Sequence, residues 1–356
     1  MTTQTTEQEL IPGWRVRVDG EDIPAEIVVN VLSVEVEQYV NGSDVFDITV
    51  NIWDAGNQDY QYIDDETFSE GSSLEVLVGY GEDFVSLING EIVAIEVEYG
   101  SDTAPTLHVQ GYDKLHRFRR GRKTQTYTNI KDSEIAEQIA SAMQLQSSVD
   151  DSEIVYAHLF QYNQSDMDFL QERARRINYE VDVVDNTLQF RKAAFSQSAV
   201  TTLSYRVDLK ELNLRLSTLS QVKKVLVKGW NINSKEAIVG LGQSGDELGV
   251  MGGASLGVDV AGDAFGEYEE VIVDKPIYEQ SEADQIAKAI FNRMNLQYLK
   301  AEGESIGNAS LKAGDVVELG NLGQRMSGLY YLEKTHHIID GDGYITRFNC
   351  QRNSTS

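Results

Sequence analysis

Most hydrophobic positions of this chain follow the two-residue period of a β-strand. Apolar and charged residues alternate from Trp14 to Val18 and again from Val34 to Glu37. Because successive side chains of a strand point to opposite faces, this alternation predicts antiparallel sheets with one buried and one wet face. The predicted strands cover residues 14–18, 27–40, 45–53, 74–80, 84–99, 106–112, 212–216, 222–230, 311–319, 328–339 and 344–351.

Residues 161–191 predict a short amphipathic helix that caps a β-hairpin. Ser165, followed by Asp168 three residues later, is a helix-start signal. The apolar positions after it have the spacing of one helix face: Met167, Leu170, Ala174 and Ile177. Beyond the helix, apolar and polar residues alternate on either side of an Asp185-Asn186 turn. By itself this arrangement indicates no function.

Two other stretches have the spacing of an amphipathic helix. Asp132 or Ser133 is expected to cap the first, and Ser281 with Asp284 to start the second. Their apolar faces are Ile135, Ile139 and Met143 in one and Ala283, Ile286, Ile290 and Met294 in the other. Since 356 residues exceed what one core usually serves, we expect a mainly β, α+β chain of several domains.

The net charge of the chain indicates which kinds of molecule it can bind. The chain carries 57 Asp and Glu against 30 Lys and Arg, a formal net charge of −27. Phosphate attraction needs clustered cations, so this balance disfavours a nucleic-acid or anionic-membrane binder and indicates protein partners. The single cysteine, Cys350, excludes an internal disulfide. No secretory signal is expected, because the first ten residues are polar and acidic, and the sequence contains no apolar run of about 18 residues.

Six cations within ten residues interrupt this acidic background, at Lys114, Arg117, Arg119, Arg120, Arg122 and Lys123. The run is expected on a short helix that joins two domains. A nucleic-acid patch is one interpretation, but such runs are more often solvated faces or ion-pair partners of a neighbouring acidic surface. No aromatic platform accompanies the run, so sequence-specific nucleic-acid binding is not expected.

The segment 240–266 holds nine glycines with almost no periodicity and is predicted to be a mobile loop. Its first six residues fit the GxGxxG pattern of dinucleotide-binding proteins, but no βαβ unit surrounds them. Residues 253–257 fit the GxSxG nucleophile elbow, with Asp263 and His336 downstream in the order of an α/β-hydrolase. That elbow needs a buried parallel strand before Ser255 and a helix after it, and neither is predicted.

The histidines do not form a metal-binding pattern. His336 and His337 are adjacent on a predicted strand, so their side chains should point to opposite faces. The other histidines are isolated: His108, His116 and His158. We therefore assign no catalytic, cofactor-binding or metal-binding residue and expect no cofactor.

The stretch QYNQSDMDFLQERARRINYE, residues 161–180, resembles the Q-x-N-x-S-D-x-x-F-L helix of the phage late control protein D family. These are baseplate hub proteins, which also form the N-terminal part of VgrG-type spikes. Further resemblances follow in the family's order at 111–115, 127–145, 227–231, 301–303, 311–315, 328–331, 336–337 and 344–346. Residues 1–100 resemble the family in the pattern of their strands more than in residue identity.

The resemblance implies a hub in which each chain supplies two tube-like antiparallel β-barrel domains with intervening small α/β domains. The expected division is a disordered arm at 1–13, a first barrel at 14–117, a small α+β domain at 118–198, a second barrel at 199–234 and 305–352, and an insertion at 235–304. Three chains would then set six barrels in a ring and adapt a six-fold tube to a three-fold spike. The acidic balance would suit a lumen through which DNA or acidic cargo slides.

The implied function is that of a non-enzymatic structural hub of a contractile phage tail or a phage-tail-like contractile injection system. The expected partners are two further copies of the chain, a spike trimer, the protein that initiates the inner tube, and other baseplate proteins. Only three residues follow Asn353, so the spike should be a separate polypeptide. Assembly in the bacterial cytoplasm and a place in a virion or injection-particle baseplate follow. The alternative class is a serine hydrolase using Ser255 and His336.

Overall fold

The computed structural model describes residues 12–81, 83–101 and 103–355. The strands of the first part are β1 Pro12–Val18, β2 Glu21–Asp22, β3 Val31–Tyr39, β4 Val45–Asn51, β5 Trp53–Asp54, β6 Asp59–Tyr60, β7 Ser73–Tyr80, β8 Asp83–Glu98 and β9 Thr106–Asp113. Those of the middle part are β10 Lys123–Lys131, β11 Gln146–Val149, β12 Val155–Gln164, β13 Tyr179–Val184 and β14 Thr187–Lys192.

The last part continues with β15 Thr202–Ser204, β16 Leu209–Leu216, β17 Lys224–Asn231, β18 Glu236–Gln243, β19 Ser255–Leu256, β20 Glu269–Ile272, β21 Leu299–Ile306, β22 Val316–Gly320, β23 Gly328–Asp340, β24 Gly343–Arg352 and β25 Ser354–Thr355. The α-helices are α1 Ala25–Val28, α2 Asp132–Ala142, α3 Asp166–Ile177, α4 Gly257–Phe265 and α5 Gln280–Leu296, and a 3₁₀ helix spans Lys114–Arg119.

One large sheet joins the two ends of the chain. Its strands run in the order β16-β21-β24-β23-β3-β4-β9-β8-β7-β1-β2, with β22 and β15 attached beside β23. Every pairing along this path is antiparallel, and only β15 joins β22 in parallel. The predicted fold class, mainly β with antiparallel sheets, is confirmed.

The alternation of the sequence places the core on one face of this sheet. In β4, Phe46, Ile48 and Val50 are fully buried, whereas Asp47 and Thr49 between them are half-buried. Burying each apolar side chain of this size contributes about 1.5–3 kcal/mol relative to leaving it exposed. The strand prediction from alternation is therefore confirmed here, including which side faces inward.

The middle of the chain folds as the helix and hairpin predicted from its pattern. We call the segment 114–192 the middle module, because one apolar cluster from Leu115 to Phe190 holds it together. The Ser165 hydroxyl accepts a hydrogen bond from the Asp168 backbone N–H at 3.1 Å and begins α3. Asn178, in the left-handed conformation, ends it. The hairpin β13–β14 follows as expected.

The glycine-rich segment is not the mobile loop that its composition predicted. Strand β18 contains Gly240 and Gly242, and α4 begins at Gly257. A Cβ built on Gly240 would lie 2.1 Å from the carbonyl oxygen of Ala283 in α5. Glycine is thus required because strand and helix backbones touch. We call β17, β18, β20, α4 and α5 with their connections (residues 222–296) the α5 module, since they share one apolar cluster.

Replacing Gly240 with alanine is expected to destabilise the α5 module. The new methyl group must displace a helix backbone carbonyl, and overpacking of this kind typically costs about 1–3 kcal/mol. The control is Gly341→Ala, since a Cβ at Gly341 meets nothing within 4 Å. Thermal unfolding measures both variants, and equal unfolding midpoints for the two would show that the close approach of β18 and α5 is wrong.

Several predicted boundaries are wrong for local reasons. Residues 27 and 28 lie in α1 rather than in a strand, because the backbone N–H groups of Ile27 and Val28 both donate to the Pro24 carbonyl. Residues 311–315 precede β22, since Gly314 has a left-handed φ of 90°. Pro12 and Gly13 begin β1 instead of ending a disordered arm, and residues 1–11 of that arm lie outside the described residues.

Two predicted helix caps are also wrong. Lys131 precedes α2, and its backbone N–H donates to the Glu134 carboxylate at 2.8 Å. Asp132, the expected cap, is the first helical residue, and its carboxylate binds Arg173 instead. Glu279 rather than Ser281 precedes α5. A cap predicted from sequence fails where a tertiary partner takes the side chain.

Candidate assembly surface

The wet face of the large sheet carries polar side chains that pair across strands. We call the outward residues of β3, β4, β9, β21, β23 and β24 the polar sheet face. Its pairs include Arg347 with Glu304 at 3.1 Å, Lys334 with Glu37 at 2.9 Å, His336 with Glu35 at 2.8 Å and Gln110 with Asp47 at 2.6 Å. Such partly exposed pairs contribute about 0–1 kcal/mol each, so they define a surface more than they stabilise the fold.

The strand register carries this face across the junction of the two sheet halves. Glu304 of β21 lies opposite Arg347 of β24, which lies opposite His336 of β23. His336 in turn lies opposite Glu37 of β3, which belongs to the other half of the sheet. Because β3 and β23 pair directly, the two halves present one continuous polar surface.

The two adjacent histidines point to opposite faces, as predicted. His336 lies on the polar sheet face between the carboxylates of Glu35 and Glu37. His337 is fully buried, bonded to the Tyr344 hydroxyl at 2.8 Å and the Leu311 carbonyl at 3.0 Å. Burial lowers the pKa of His337 to about 4, so it is neutral near pH 7.

The residues of the alternative hydrolase do not come together. Ser255 lies in the two-residue strand β19, where it pairs with Thr355, and His336 pairs with Arg347. Seven residues of largely extended chain lie between Arg347 and Thr355, which places Ser255 roughly 20 Å or more from His336. Asp263 is exposed on α4.

The expectation that no helix follows Ser255 is wrong, since α4 begins two residues later. Ser255 itself begins the two-residue strand β19, which pairs with β25 in an antiparallel way. A nucleophile elbow needs a buried parallel strand before the serine to aim it, so the GxSxG match does not form one here. The GxGxxG match lies largely in β18 and serves the close contact with α5.

The basic run is largely bound within the chain. Arg117 pairs with Glu91, which also bonds His116 at 2.9 Å. Lys123 pairs with the buried Asp166 at 2.5 Å. Other members bind polar groups of the middle module, namely Lys114 at the Asn186 side chain and Arg122 at the Asn163 carbonyl. The interpretation as ion-pair partners of neighbouring acids is supported by these contacts, with Arg119 and Arg120 exposed.

Buried carboxylates lie close together where the middle module joins the sheet, and no sequence pattern predicts their burial. Glu180 of β13 accepts a hydrogen bond from the Tyr331 hydroxyl of β23, and burial raises its pKa to about 7. Burial likewise raises the pKa of Asp113, and the pKa of Asp44 and Asp182. Both Glu180 and Asp113 lie in stretches that carry the family resemblance, but the sequence does not distinguish a buried acidic residue from an exposed one.

Two searches of the described residues are negative. No group of three or more His, Cys, Asp or Glu side chains there has a metal-binding arrangement. No helix in the same part of the chain is long and apolar enough to cross a membrane.

Solved structures share this fold over nearly the whole chain. The 43 kDa tail protein of prophage MuSo2 from Shewanella oneidensis matches with a TM-score of 0.72 and 13% identity, covering 96% of this chain and 98% of its own. The tail protein from Neisseria meningitidis MC58 matches at 0.68 and 13% identity, covering 96% and 97%. The E. coli c3393 protein, a type VI secretion component similar to T4 tail proteins gp27 and gp5, matches at 0.57 and 11% identity, covering 96% and 77%.

The fold is therefore that of these tail and secretion-system proteins, and the resemblance predicted from the sequence is confirmed. By sequence, the chain belongs to the Alg8 N-terminal domain family, whose model matches residues 8–341. No curated protein matches it by sequence.

Proposed function

We propose that this protein is the non-enzymatic hub of a contractile tail or injection-system baseplate, acting as a homotrimer between tube and spike. The observation that carries the proposal is the continuous polar sheet face, which crosses both halves of the sheet through the β3–β23 pairing. The tail-protein fold supports it, because the matching structures are tail and secretion-system components.

The two halves of the sheet supply the geometry that a hub requires. One chain contributes two mainly antiparallel sheet regions, at residues 12–113 and at 202–216 with 299–352, which we propose as two tube-like domains. The predicted second barrel included residues 222–234, but β17 at that place pairs with β18 in the separate sheet of the α5 module. Three copies related by a three-fold axis would present six such regions to a six-fold tube while keeping three-fold symmetry toward a spike. The ends of the sheet, β16 and β1–β2, would then face neighbouring copies.

The polar sheet face is proposed to line the lumen. Its acids alternate with Lys334, His336 and Arg347, so cargo would meet a hydrated surface that is not uniformly of one sign. Such a surface offers no contiguous basic patch to hold DNA and no single acidic field to repel protein cargo. Assembly would take place in the bacterial cytoplasm, with the spike and the tube initiator as separate partners.

The solution mass tests the trimer. Light scattering coupled to size exclusion should give about 119 kDa, three times the 39.7 kDa chain, because a ring interface closes only when all three copies are present. Adding the trimeric spike protein of the same particle should shift the peak by one spike trimer per hub trimer. A chain that remains at 39.7 kDa alone and with both spike and tube initiator would overturn the hub proposal.

A further inference from the structure

A groove between the middle module and the α5 module is lined along one wall by a single strand. Its volume is about 1030 Å³, and every residue from Glu153 to Phe160 borders it. Six consecutive residues of β12, from Val155 to Phe160, border the groove. Because strand side chains alternate between faces, this is possible only if the backbone edge of the strand faces the groove. The opposite walls come from α3, the 231–233 turn and residues 276–282.

This strand edge is unpaired. Within the described residues, β12 belongs to a two-stranded sheet whose other member is β10, on the side away from the groove. A free edge presents backbone N–H and C=O groups that can template a further strand. Apolar side chains stand beside it: Val155 is 55% exposed, and Ile232 and Tyr278 on the opposite wall are 74% and 63% exposed.

The charged side chains that line the groove determine which net charge an occupant should carry. Its two arginines are already bound, Arg173 to Asp132 and Arg176 to Glu282, each at 2.6 Å. The acids that remain are Glu153, which has Lys192 at 3.5 Å, together with Glu172 and Glu279. An occupant should therefore be positively charged, and a nucleic-acid strand is disfavoured.

We propose that the groove binds an extended, basic segment of a partner protein, which adds to the free edge of β12 as a further strand. Backbone hydrogen bonds to β12 would supply affinity, alternate apolar side chains would pack on Ile232 and Tyr278, and the intervening cations would face the acids. The six wall residues that belong to β12 span about 20 Å, enough for a strand of similar length. Such a segment would also hold the middle module against the α5 module.

The test uses a fluorescein-labelled peptide of four Lys-Val repeats and measures its anisotropy with the full chain. We expect saturable binding, with a Glu-Val peptide of equal length binding at least about tenfold more weakly. N-methylation of every second amide of the basic peptide removes strand hydrogen-bond donors and should weaken binding by about tenfold. Hydrogen exchange should show slowed amides between residues 155 and 160 when the basic peptide is bound.

Two variants locate the site. Tyr278→Ala removes an apolar wall and Glu279→Lys reverses a charge, and each should weaken the basic peptide by at least about threefold. The control is Leu219→Ala, whose side chain is 91% exposed and lies outside the groove. Three results would each overturn the proposal. The first is that the basic peptide does not bind saturably, and the second is that the acidic peptide binds equally well. The third is that the chain binds no peptide and Val155→Lys disrupts its self-association. The peptide-binding results do not depend on the trimer, so their failure is distinguishable from failure of the hub.

Discussion

Replacing Asp132 with alanine should destabilise the middle module by about 3–5 kcal/mol, because it leaves a buried guanidinium without its counter-ion. The Asp132 carboxylate binds Arg173 through two hydrogen bonds, at 2.6 Å to Nε and 3.1 Å to Nη2. Both side chains are buried, with 1% and 7% exposed. The guanidinium also lies 4.4 Å from the ring centroid of Tyr156, which fixes its position but cannot neutralise it.

Native-state hydrogen exchange measures the loss, since the amides of α2 and α3 report the opening free energy of this module alone. The matched control is Glu304→Ala, which breaks an ion pair on the polar sheet face whose arginine is 56% exposed and should cost about 0–1 kcal/mol. Combining Asp132→Ala with Arg173→Met should recover part of the loss by removing the stranded charge. A loss below 1 kcal/mol for Asp132→Ala, or none recovered in the double variant, would contradict the argument.

The sequence predicted those parts of the fold whose causes are local. Alternation placed β4 and its buried face, and the Ser165 signal placed the start of α3, because both patterns act within one turn or one strand. The pairing of β3 with β23 has no such signal. It joins Glu35 to His336 across 301 positions, and nothing in either strand specifies the other.

The candidate surface was harder to predict than the fold. The polar alternation of β3 and β23 predicts a wet face, but that face becomes a single surface only through their pairing. The glycines of β18 led to the prediction of a loop, because a close tertiary contact with α5 produces no periodic pattern in the sequence. The β12 groove could not be predicted from the sequence either, because an edge strand is defined by the absence of a neighbouring strand.

The contribution of Glu180 to stability should fall as the pH rises from about 4.5 to 7, because its buried carboxyl holds a proton over that range. Burial raises its pKa from 4.5 to about 7, with the Tyr331 hydrogen bond and Arg191 opposing that rise. Between these two values the folded chain binds more protons than the unfolded chain, so the free energy of unfolding decreases with pH. The contribution is fully present below pH 4.5, is lost by pH 7, and amounts to about 3 kcal/mol. Because Tyr331 lies on β23, the loss weakens the contact of the middle module with the sheet.

Glu180→Gln isolates this effect, because glutamine keeps an acceptor for Tyr331 and stays neutral at every pH. Urea unfolding at pH 5 and pH 8 should show the variant equal to the wild type at the lower pH and up to about 3 kcal/mol more stable at the higher. The raised pKa values of Asp44, Asp113 and Asp182 and the lowered pKa of His337 act in both proteins and cancel in the comparison. Tyr331→Phe removes a bond that favours the Glu180 carboxylate and should move the transition to higher pH. If the variant and the wild type keep the same pH slope, Glu180 is ionised in the folded chain and the junction is not a proton-dependent contact.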